Sequence, residues 1–445
     1  MKKSAPSERE PESPVPFHVG SNGELVPRPK TRRDEAAERT FRELVAEKAR
    51  RLGLSRRDFV GSVLGTSTAL WVINQFYGCS SDETTAASAA YDIDAGNTED
   101  ADAACERLMG DEFIFDVQTH HVNPDGPWRD TNSGLESFLA ILPQGSCGET
   151  DAVACFSVEH YMREIYVNSD TTVAVLSALP AVPSENPLEA QEAQATKDII
   201  NALSGSPRCV THAIVLPNLG QAQLDGMQQI AEENHISAWK VYTPVGGWRL
   251  DDPAVGIPFI EKARSLGIKL ICAHKGLVLP GFDAAAAAPE DIGVVAEAFP
   301  DVNFCVYHSA YETNVTEAEY DPMGLGVDRL IKACADHGIG PTGNVYAELG
   351  STWRQLMTDM TQAAHVIGKL LMALGEDRIL WGTDSIWYGT PQDQIMAFRA
   401  FQIPEAMQDQ FGYPAITDQI RRKIFGLNAA ALYGIDPDAV RCEIT

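Results

Sequence analysis

The sequence is poor in positive charge and in cysteine motifs. It has 35 Lys and Arg residues against 62 Asp and Glu, so the formal net charge is -27 and the pI is about 4.7. Such a surface repels phosphate backbones, which argues against nucleic acid as a partner. The nine cysteines form no Cys-x-x-Cys pair. Cys147 and Cys155 flank a short loop and could form a disulfide in an oxidising compartment.

A glycine-rich dinucleotide fingerprint is missing after the first predicted strand, which counts against an open dinucleotide-binding fold. Instead, eight short apolar, β-branched or aromatic runs alternate with helix-like stretches, and this alternation predicts a parallel sheet. Eight such units favour an α/β fold of the closed (β/α)₈ TIM-barrel type, forming one catalytic domain at residues 111–445. The predicted strands are residues 112–120, 171–180, 209–218, 236–244, 268–276, 302–310, 344–351 and 377–385.

The N-terminal region has the composition of a targeting segment. Residues 1–54 are rich in Lys, Arg, Glu and Pro, and we expect them to be largely disordered, with a short helix near residues 34–52. In residues 55–80, SRRDFV resembles a twin-arginine motif and precedes an apolar run that favours a signal over a membrane span. The alternatives are a membrane anchor or a buried helix preceded by two arginines by chance. Residues 81–110 are small, polar and acidic, and predict a tether.

This signal predicts export by the twin-arginine machinery to the periplasm or cell envelope. Cys79 lies in a Gly-Cys-Ser context that resembles a lipoprotein acylation site, so lipid anchoring through Cys79 stays open. Cleavage within residues 84–90 is the alternative. The sequence also leaves a homo-oligomer open.

Polar residues stand at the ends of the predicted strands, where a (β/α)₈ barrel has its active site. Strands one, five, six and eight end in His120, His274, His308 and Asp384. Side chains at such matching positions can converge on the barrel axis, and imidazoles with a carboxylate suit Zn²⁺, Mn²⁺ or Fe²⁺. The first strand lacks a His-x-His pair, because Gln118 occupies the position two residues before His120, on the same face.

Other histidines are expected to be structural. His121 points away from the face of His120, and His160 lies in a helix-like stretch. These residues are therefore left outside the predicted site.

The motifs FDVQTHHV, LSALP, CAHKG, VYHSA, LWGTDS and IFGLNAAALYGI occur in an order that resembles the amidohydrolase superfamily. Within it, the chain resembles the amidohydrolase-related branch that includes aminocarboxymuconate-semialdehyde decarboxylase-like enzymes. The resemblance covers residues 111–436 and implies one divalent ion, with Zn²⁺ and Mn²⁺ expected first.

The resemblance also assigns roles. His120, His274 and Asp384 are implied metal ligands, and Gln118 replaces a His or Glu ligand as a weaker, neutral donor. Asp384 is implied to move a proton as well. His308 is implied to act as acid or base, or to polarise the substrate.

A small molecule is the expected substrate. Lys240 on strand four is predicted either to bind an acidic group of the substrate or to form an ion pair at the barrel rim. Tyr242, Arg249, Trp387 and Tyr388 are candidates to line an apolar or aromatic pocket with a carboxylate clamp. Packing between loops is the alternative for the aromatic residues.

Three functions stay open. The first is a hydrolase that cleaves an amide, ester or lactone bond with metal-activated water. The second is a decarboxylase, or another lyase, on the same scaffold. The third is a metal-free hydrolase or ligand-binding protein, which Gln118 keeps open.

Overall fold

The predicted eight strands are all present in the protein. The structure, a computed structural model, describes residues 11–17, 29–78, 90–177, 179–182 and 185–440 of the chain. The strands are almost entirely buried because a parallel barrel strand is covered on both faces. The strands are β1 (Phe115–Thr119), β2 (Val173–Ser177), β3 (Cys209–Ile214), β4 (Ala238–Tyr242), β5 (Leu270–His274), β6 (Asn303–Tyr307), β7 (Val345–Glu348) and β8 (Ile379–Leu380).

Helices connect the strands and precede the barrel. The α-helices of the described residues are α1 (Arg32–Leu52), α2 (Arg56–Val60), α3 (Val63–Tyr77), α4 (Ala101–Leu108), α5 (Ser133–Ile141), α6 (Val158–Met162), α7 (Ala190–Ser204), α8 (Gln221–Asn234), α9 (Gly256–Ser265), α10 (Ala284–Ala287), α11 (Glu290–Ala298), α12 (Val327–Asp336), α13 (Thr352–Leu356), α14 (Met360–Leu374), α15 (Gln392–Ala400), α16 (Glu405–Phe411), α17 (Asp418–Arg422), α18 (Asn428–Tyr433) and α19 (Pro437–Val440). No helix among the described residues is both long and apolar enough to cross a membrane.

The sheet is a barrel of parallel strands in the order β1 to β8, as predicted. Backbone hydrogen bonds connect the segment that follows β8 to β1 and to the residue after it. The amide of Val117 donates to the Trp381 carbonyl at 3.0 Å, and the amide of His120 donates to the Ser385 carbonyl at 2.7 Å. These bonds place the ends of β1 and β8 side by side.

The N-terminal helices pack against the catalytic domain, which corrects one expectation. The helix predicted near residues 34–52 is confirmed as α1, but the described part of residues 1–54 is ordered, because α1 buries Phe41 and Val45. The predicted signal at residues 55–80 contains α2 and α3, and Leu70 and Ile73 of α3 have no exposed surface. The apolar side chains of α3 are covered because α1, α4 and α15 pack on it.

The tether predicted at residues 81–110 is also corrected for its described part. Tyr91 forms an antiparallel bridge with Phe401, and its hydroxyl donates to the Met357 carbonyl at 2.6 Å. Asp100 caps α4, which packs on α15. Residues 90–110 are therefore part of the folded domain, while Cys79 and residues 81–89 lie outside the described residues.

Candidate functional site

The predicted site residues converge at the carboxyl-terminal mouth of the barrel. His274 ends β5, whereas His120, His308 and Asp384 follow β1, β6 and β8. All four are at most 2% exposed. His308 and Asp384 have φ values of 65° and 60°, a left-handed conformation that is costly for residues other than glycine. The surrounding contacts hold this strained backbone in place.

Backbone carbonyls determine which nitrogen of His120 and His308 carries the proton. Nδ1 of His120 lies 2.6 Å from the Ser177 carbonyl oxygen, and Nδ1 of His308 lies 2.7 Å from that of Gly350. A carbonyl oxygen can only accept a hydrogen bond, so Nδ1 is the protonated nitrogen in both neutral rings. Each Nε2 therefore presents a lone pair to the site.

His274 has the opposite tautomer. Its Nε2 lies 3.1 Å from the Leu277 carbonyl oxygen, so its Nδ1 carries the lone pair, and this atom lies 3.2 Å from Nε2 of His308. Burial lowers the pKa of His274 well below its usual value and that of His308 to about 4, which keeps both rings neutral. The two lone pairs thus face each other, and a cation bound between them would stabilise this arrangement.

Asp384 is held as a carboxylate. Burial acts to raise its pKa, but the imidazoles of His120 and His308 and the hydroxyl of Ser351 lower it well below the usual range. Ser351 Oγ donates to Oδ2 at 2.5 Å, and Nε2 of His120 lies 3.1 Å from Oδ1. His120 therefore contacts the carboxylate of Asp384 directly.

Gln118 presents its amide nitrogen, and not its oxygen, to Asp384. Nε2 donates to Oδ1 of Asp384 at 3.0 Å. The buried Oε1 lies beside Gly350, where an added Cβ would come within 2.2 Å of it. Gln118 thus positions Asp384 in this structure. Its oxygen could coordinate a metal beside Asp384 only if the side-chain amide were flipped, so that the oxygen and nitrogen exchanged places.

Glu348 holds the backbone around His308. Its Oε2 accepts from the amide of His308 at 2.9 Å, and its Oε1 accepts from the amide of Gly350. Burial raises the pKa of Glu348 to about 8. An added Cβ at Gly382 would lie only 1.7 Å from Oε1, so a glycine is required there. The carboxylate is occupied by backbone groups and acts as a positioning residue.

Lys240 lies fully buried inside the barrel. Its Nζ is 3.1 Å from the centroid of the Tyr307 ring and 4.8 Å from that of Tyr242. Within the described part of the chain, Nζ has no hydrogen-bond partner, so the predicted ion pair at the rim is wrong. Burial lowers its pKa to about 8. A buried ammonium without an anion is costly, which favours the other prediction, a substrate carboxylate near this group.

Two of the predicted substrate residues stack directly on site histidines. The Trp387 ring lies 5.0 Å from the His120 ring at an interplanar angle of 15°, and Tyr242 lies 5.1 Å from His274 at 26°. Trp387 and Tyr242 are both buried. These two rings fix the orientation of the imidazole planes and form apolar walls of the site.

Tyr388 and Arg249, the other two predicted substrate residues, do not stack on site histidines and make different contacts. The hydroxyl of Tyr388 lies 2.7 Å from Oγ of Ser351, so Tyr388 reaches the group that holds Asp384. Arg249 instead forms two hydrogen bonds with Asp251, at 2.8 and 2.9 Å. Because the guanidinium of Arg249 is occupied by this neighbour, the structure does not bring it to the site as a carboxylate clamp.

A cavity of about 1040 Å³ lies between the N-terminal helices and the loops that follow β5 and β6. Tyr77 contributes from α3, while Val278 and Tyr311 contribute from the loops. These loops adjoin the site, because the Leu277 carbonyl faces His274 and the Leu277 amide donates to the Tyr311 carbonyl at 2.7 Å. The volume is sufficient for a small molecule.

The donor set fits a divalent metal ion. The neutral imidazoles of His274 and His308 and the carboxylate of Asp384 present unprotonated atoms, and Nε2 of His120 is buried without a hydrogen-bond partner among the described residues. Nitrogen and carboxylate oxygen donors suit Zn²⁺, Mn²⁺ or Fe²⁺. The donors form two close pairs, His120 with Asp384 and His274 with His308, and do not gather as three within 4.8 Å.

Sequence reasoning missed several groups that build this site. Ser351 is the last residue of the predicted seventh strand, and a hydroxyl at that end could have been considered with the other strand-end residues. The carbonyls of Ser177, Leu277 and Gly350 left no signal, because every residue has a carbonyl. Their importance depends only on where the fold places them.

A comparison of the sequence with protein families identifies the family to which this barrel belongs. A family model described as Amidohydrolase matches residues 181–435, more than half of the chain. The protein belongs to the amidohydrolase family. The matched span contains His274, His308 and Asp384, whereas Gln118 and His120 lie before it. No curated protein sequence matches the chain.

Solved structures share the shape of the fold. 5-Carboxyvanillate decarboxylase from Sphingomonas paucimobilis is 10% identical, with a TM-score of 0.47 over 73% of this chain and 100% of that one. The manganese-bound 5-carboxyvanillate decarboxylase from Novosphingobium aromaticivorans is 12% identical, with a TM-score of 0.46 over 73% and 97%. 2,6-Dihydroxybenzoate decarboxylase from Rhizobium is 14% identical, with a TM-score of 0.43 over 73% and 99%. At these identities the likeness concerns the fold alone.

Proposed function

We propose that this protein is a metal-dependent hydrolase that acts on an amide, ester or lactone bond of a small, carboxylated substrate. The observation that carries the proposal is the pair of close donor contacts at the barrel mouth, His120 with Asp384 and His274 with His308. His120, His274 and Asp384 would hold the ion. When bound, such an ion polarises the scissile group and lowers the pKa of water.

The residues of the chain supply the proton transfers. Asp384, kept ionised, can accept a proton from the attacking water and return it to the leaving group. Ser351 and Gln118 hold the carboxylate in the required direction. His308 is neutral and presents Nε2, so it can accept a hydrogen bond from the substrate or share a proton with it.

Decarboxylation is the second candidate, and Lys240 is the observation that favours it. Its buried ammonium has no hydrogen-bond partner among the described residues, so a substrate carboxylate would satisfy it. Release of CO₂ would require a proton donor at the carbon, and His308 lies at the site to provide one after taking up a proton. The same carboxylate could also anchor a substrate that is hydrolysed.

Metal analysis tests the common part of both candidates. The full chain would be purified without chelators and its Zn, Mn and Fe content measured, before and after dialysis against each ion. We expect about one equivalent to be bound in the native protein, and less in His120→Ala and His274→Ala variants that keep the native circular dichroism spectrum. A native protein that binds no ion at the barrel, under any of these conditions, would contradict the proposal.

Product analysis separates the two reactions. The metal-loaded protein would be incubated with a panel of carboxylated amides, lactones and aromatic acids, and products and CO₂ would be quantified. Hydrolysis predicts a new carboxyl group without CO₂. Stoichiometric CO₂ release, without bond hydrolysis, would replace the first candidate by the second.

A further inference from the structure

The loop between β1 and β2 carries a second group of potential metal ligands, far from the barrel donors in sequence. Cys147 and Cys155 form a disulfide in this loop. Glu149 lies between them, and His160 lies in α6 directly after the loop. We expected His160 to be structural, so the sequence alone had not indicated this group.

The side chains of this group are close together. Nε2 of His160 lies 3.8 Å from Sγ of Cys147 and 3.2 Å from Oε1 of Glu149. Ligand atoms of these three residues all lie within 4.8 Å of one another, which no other trio of His, Cys, Asp or Glu achieves in the described part of the chain. Cys155 adds a second sulfur, since it is bonded to Cys147.

We propose that this group, Cys147, Cys155, Glu149 and His160, is a redox-dependent zinc site. Two thiolates with an imidazole and a carboxylate are a ligand set that zinc accepts in tetrahedral geometry. The sulfurs of a disulfide are not thiolates, so the oxidised loop does not bind the ion in this way. The loop therefore has two exclusive states, a disulfide and a zinc complex.

Reduction of the disulfide precedes the binding of zinc. A dithiol reductant transfers two electrons to the bond between Cys147 and Cys155, and becomes an intramolecular disulfide while its two protons pass to the protein sulfurs. Zn²⁺ then displaces both protons and forms two Zn–S bonds of about 2.3 Å. Tetrahedral geometry requires the sulfurs to separate to about 3.8 Å. The exposed position of Cys147 on the loop allows this movement.

Arg163 decides which nitrogen of His160 is available. Its guanidinium donates to Nδ1 of His160, which leaves the proton on Nε2 toward Glu149. When zinc binds Nε2, the proton must move to Nδ1 and Arg163 must turn away. Arg163 can do so because its side chain is 51% exposed and already contacts Glu164 at 3.0 Å.

Cobalt and zinc binding test the proposal on the full chain. The protein would be reduced with a dithiol, freed of reductant without oxygen, and titrated with Zn²⁺ or Co²⁺ beside an oxidised sample. We expect the reduced protein to bind one zinc equivalent more than the oxidised protein. Co²⁺ should produce a thiolate charge-transfer band only in the reduced protein, a band that the barrel site, which has no thiolate ligand, does not generate.

Variants identify the ligands. Cys147→Ser and His160→Ala should each lose the additional equivalent and the band, and Glu149→Gln should weaken binding, while Cys105→Ser, a control at a free cysteine, should retain both. Folding of each variant would be checked by thermal melting. Absence of the additional equivalent in the reduced protein, or its persistence in both Cys147→Ser and His160→Ala, would overturn the proposal. Barrel metal content is measured in the oxidised sample, so failure here leaves the proposed function unaffected.

Discussion

At the scale of single residues, hydrogen bonds to the backbone determine the chemistry of the site. The carbonyls of Ser177, Leu277 and Gly350 select the imidazole nitrogens that face inward. This is the arrangement by which metal-binding histidines are usually oriented, since the outer nitrogen donates to a fixed acceptor. Identical histidines with other partners would direct protons into the site and repel a cation.

Asp384 is expected to be essential for turnover but not for folding. In Asp384→Asn the amide cannot accept a proton from water, so we expect kcat/KM to fall at least about a hundredfold. The control is Asp377→Asn, because Asp377 is 56% exposed and pairs with Lys423 at the protein surface. Near-normal kcat/KM in Asp384→Asn would refute the proposed proton transfer.

Gln118 is expected to act on Asp384 and not on the metal. Gln118→Ala removes the donor to Oδ1, so we expect a lower kcat, by about tenfold, with an unchanged metal content. Elemental analysis and steady-state kinetics on the same preparation measure the two effects separately. Loss of the metal in Gln118→Ala would instead identify the amide as a ligand.

His365 is expected to make stability depend on pH. It lies buried in α14 with Nδ1 2.8 Å from the Tyr413 hydroxyl, and burial, with the charge of Lys369, lowers its pKa to about 4. The unfolded chain binds this proton near pH 6.5, so stability is lost as the pH falls from about 6.5 to about 4. His365→Gln should reduce this loss, by up to about 1.4 kcal/mol per pH unit. If the free energy of unfolding falls equally with pH in both proteins across this window, the prediction is wrong.

At the scale of elements, α3 is both the apolar run of the predicted signal and part of the folded domain. Its side chains pack on α1, α4 and α15. Asn74 joins α3 to the described part of the predicted tether, since Nδ2 donates to the Tyr91 carbonyl at 2.8 Å and Oδ1 accepts from the Tyr91 amide at 3.1 Å.

We therefore expect Asn74 to contribute to stability. Asn74→Ala leaves buried backbone groups of Tyr91 unpaired and should lower the free energy of unfolding by about 1–3 kcal/mol. Gln75→Ala is the matched control on the exposed face of α3 and should change it by less than about 0.5 kcal/mol. Urea denaturation measures both values, and equal stabilities would mean that α3 does not contribute through this contact.

At the scale of the whole molecule, the residues that resemble an export signal also belong to the folded domain. We propose that the protein is exported with α1 to α3 retained, because removal of α3 would expose the apolar surfaces that it covers. Arg56→Lys with Arg57→Lys should keep the chain in the cytoplasm of a bacterial host that has the twin-arginine machinery. Intact-mass analysis of the exported fraction should show a chain that includes residues 32–77. An exported chain that begins after Tyr77 would contradict retention.

Much of the fold was predictable because it depends on local patterns. Short apolar runs separated by helices predict parallel strands, and the carboxyl ends of such strands meet at one end of a barrel. His120, His274, His308 and Asp384 could therefore be placed together from their positions alone. The β1 register was less predictable, since it shifts between Asp116 and Thr119 and breaks simple alternation of faces.

The sequence by itself determined the barrel, the positions of its strand ends and the residue types available there, because these follow from hydrophobic periodicity and chain order. Only the tertiary structure decided which nitrogen of each imidazole faces the site, that Gln118 turns its nitrogen to Asp384, and that Nζ of Lys240 has no hydrogen-bond partner among the described residues. The physical reason is that these features depend on contacts between distant positions, such as Gln118 and Asp384, which are 266 residues apart. No local pattern encodes the direction of a hydrogen bond formed across such a separation.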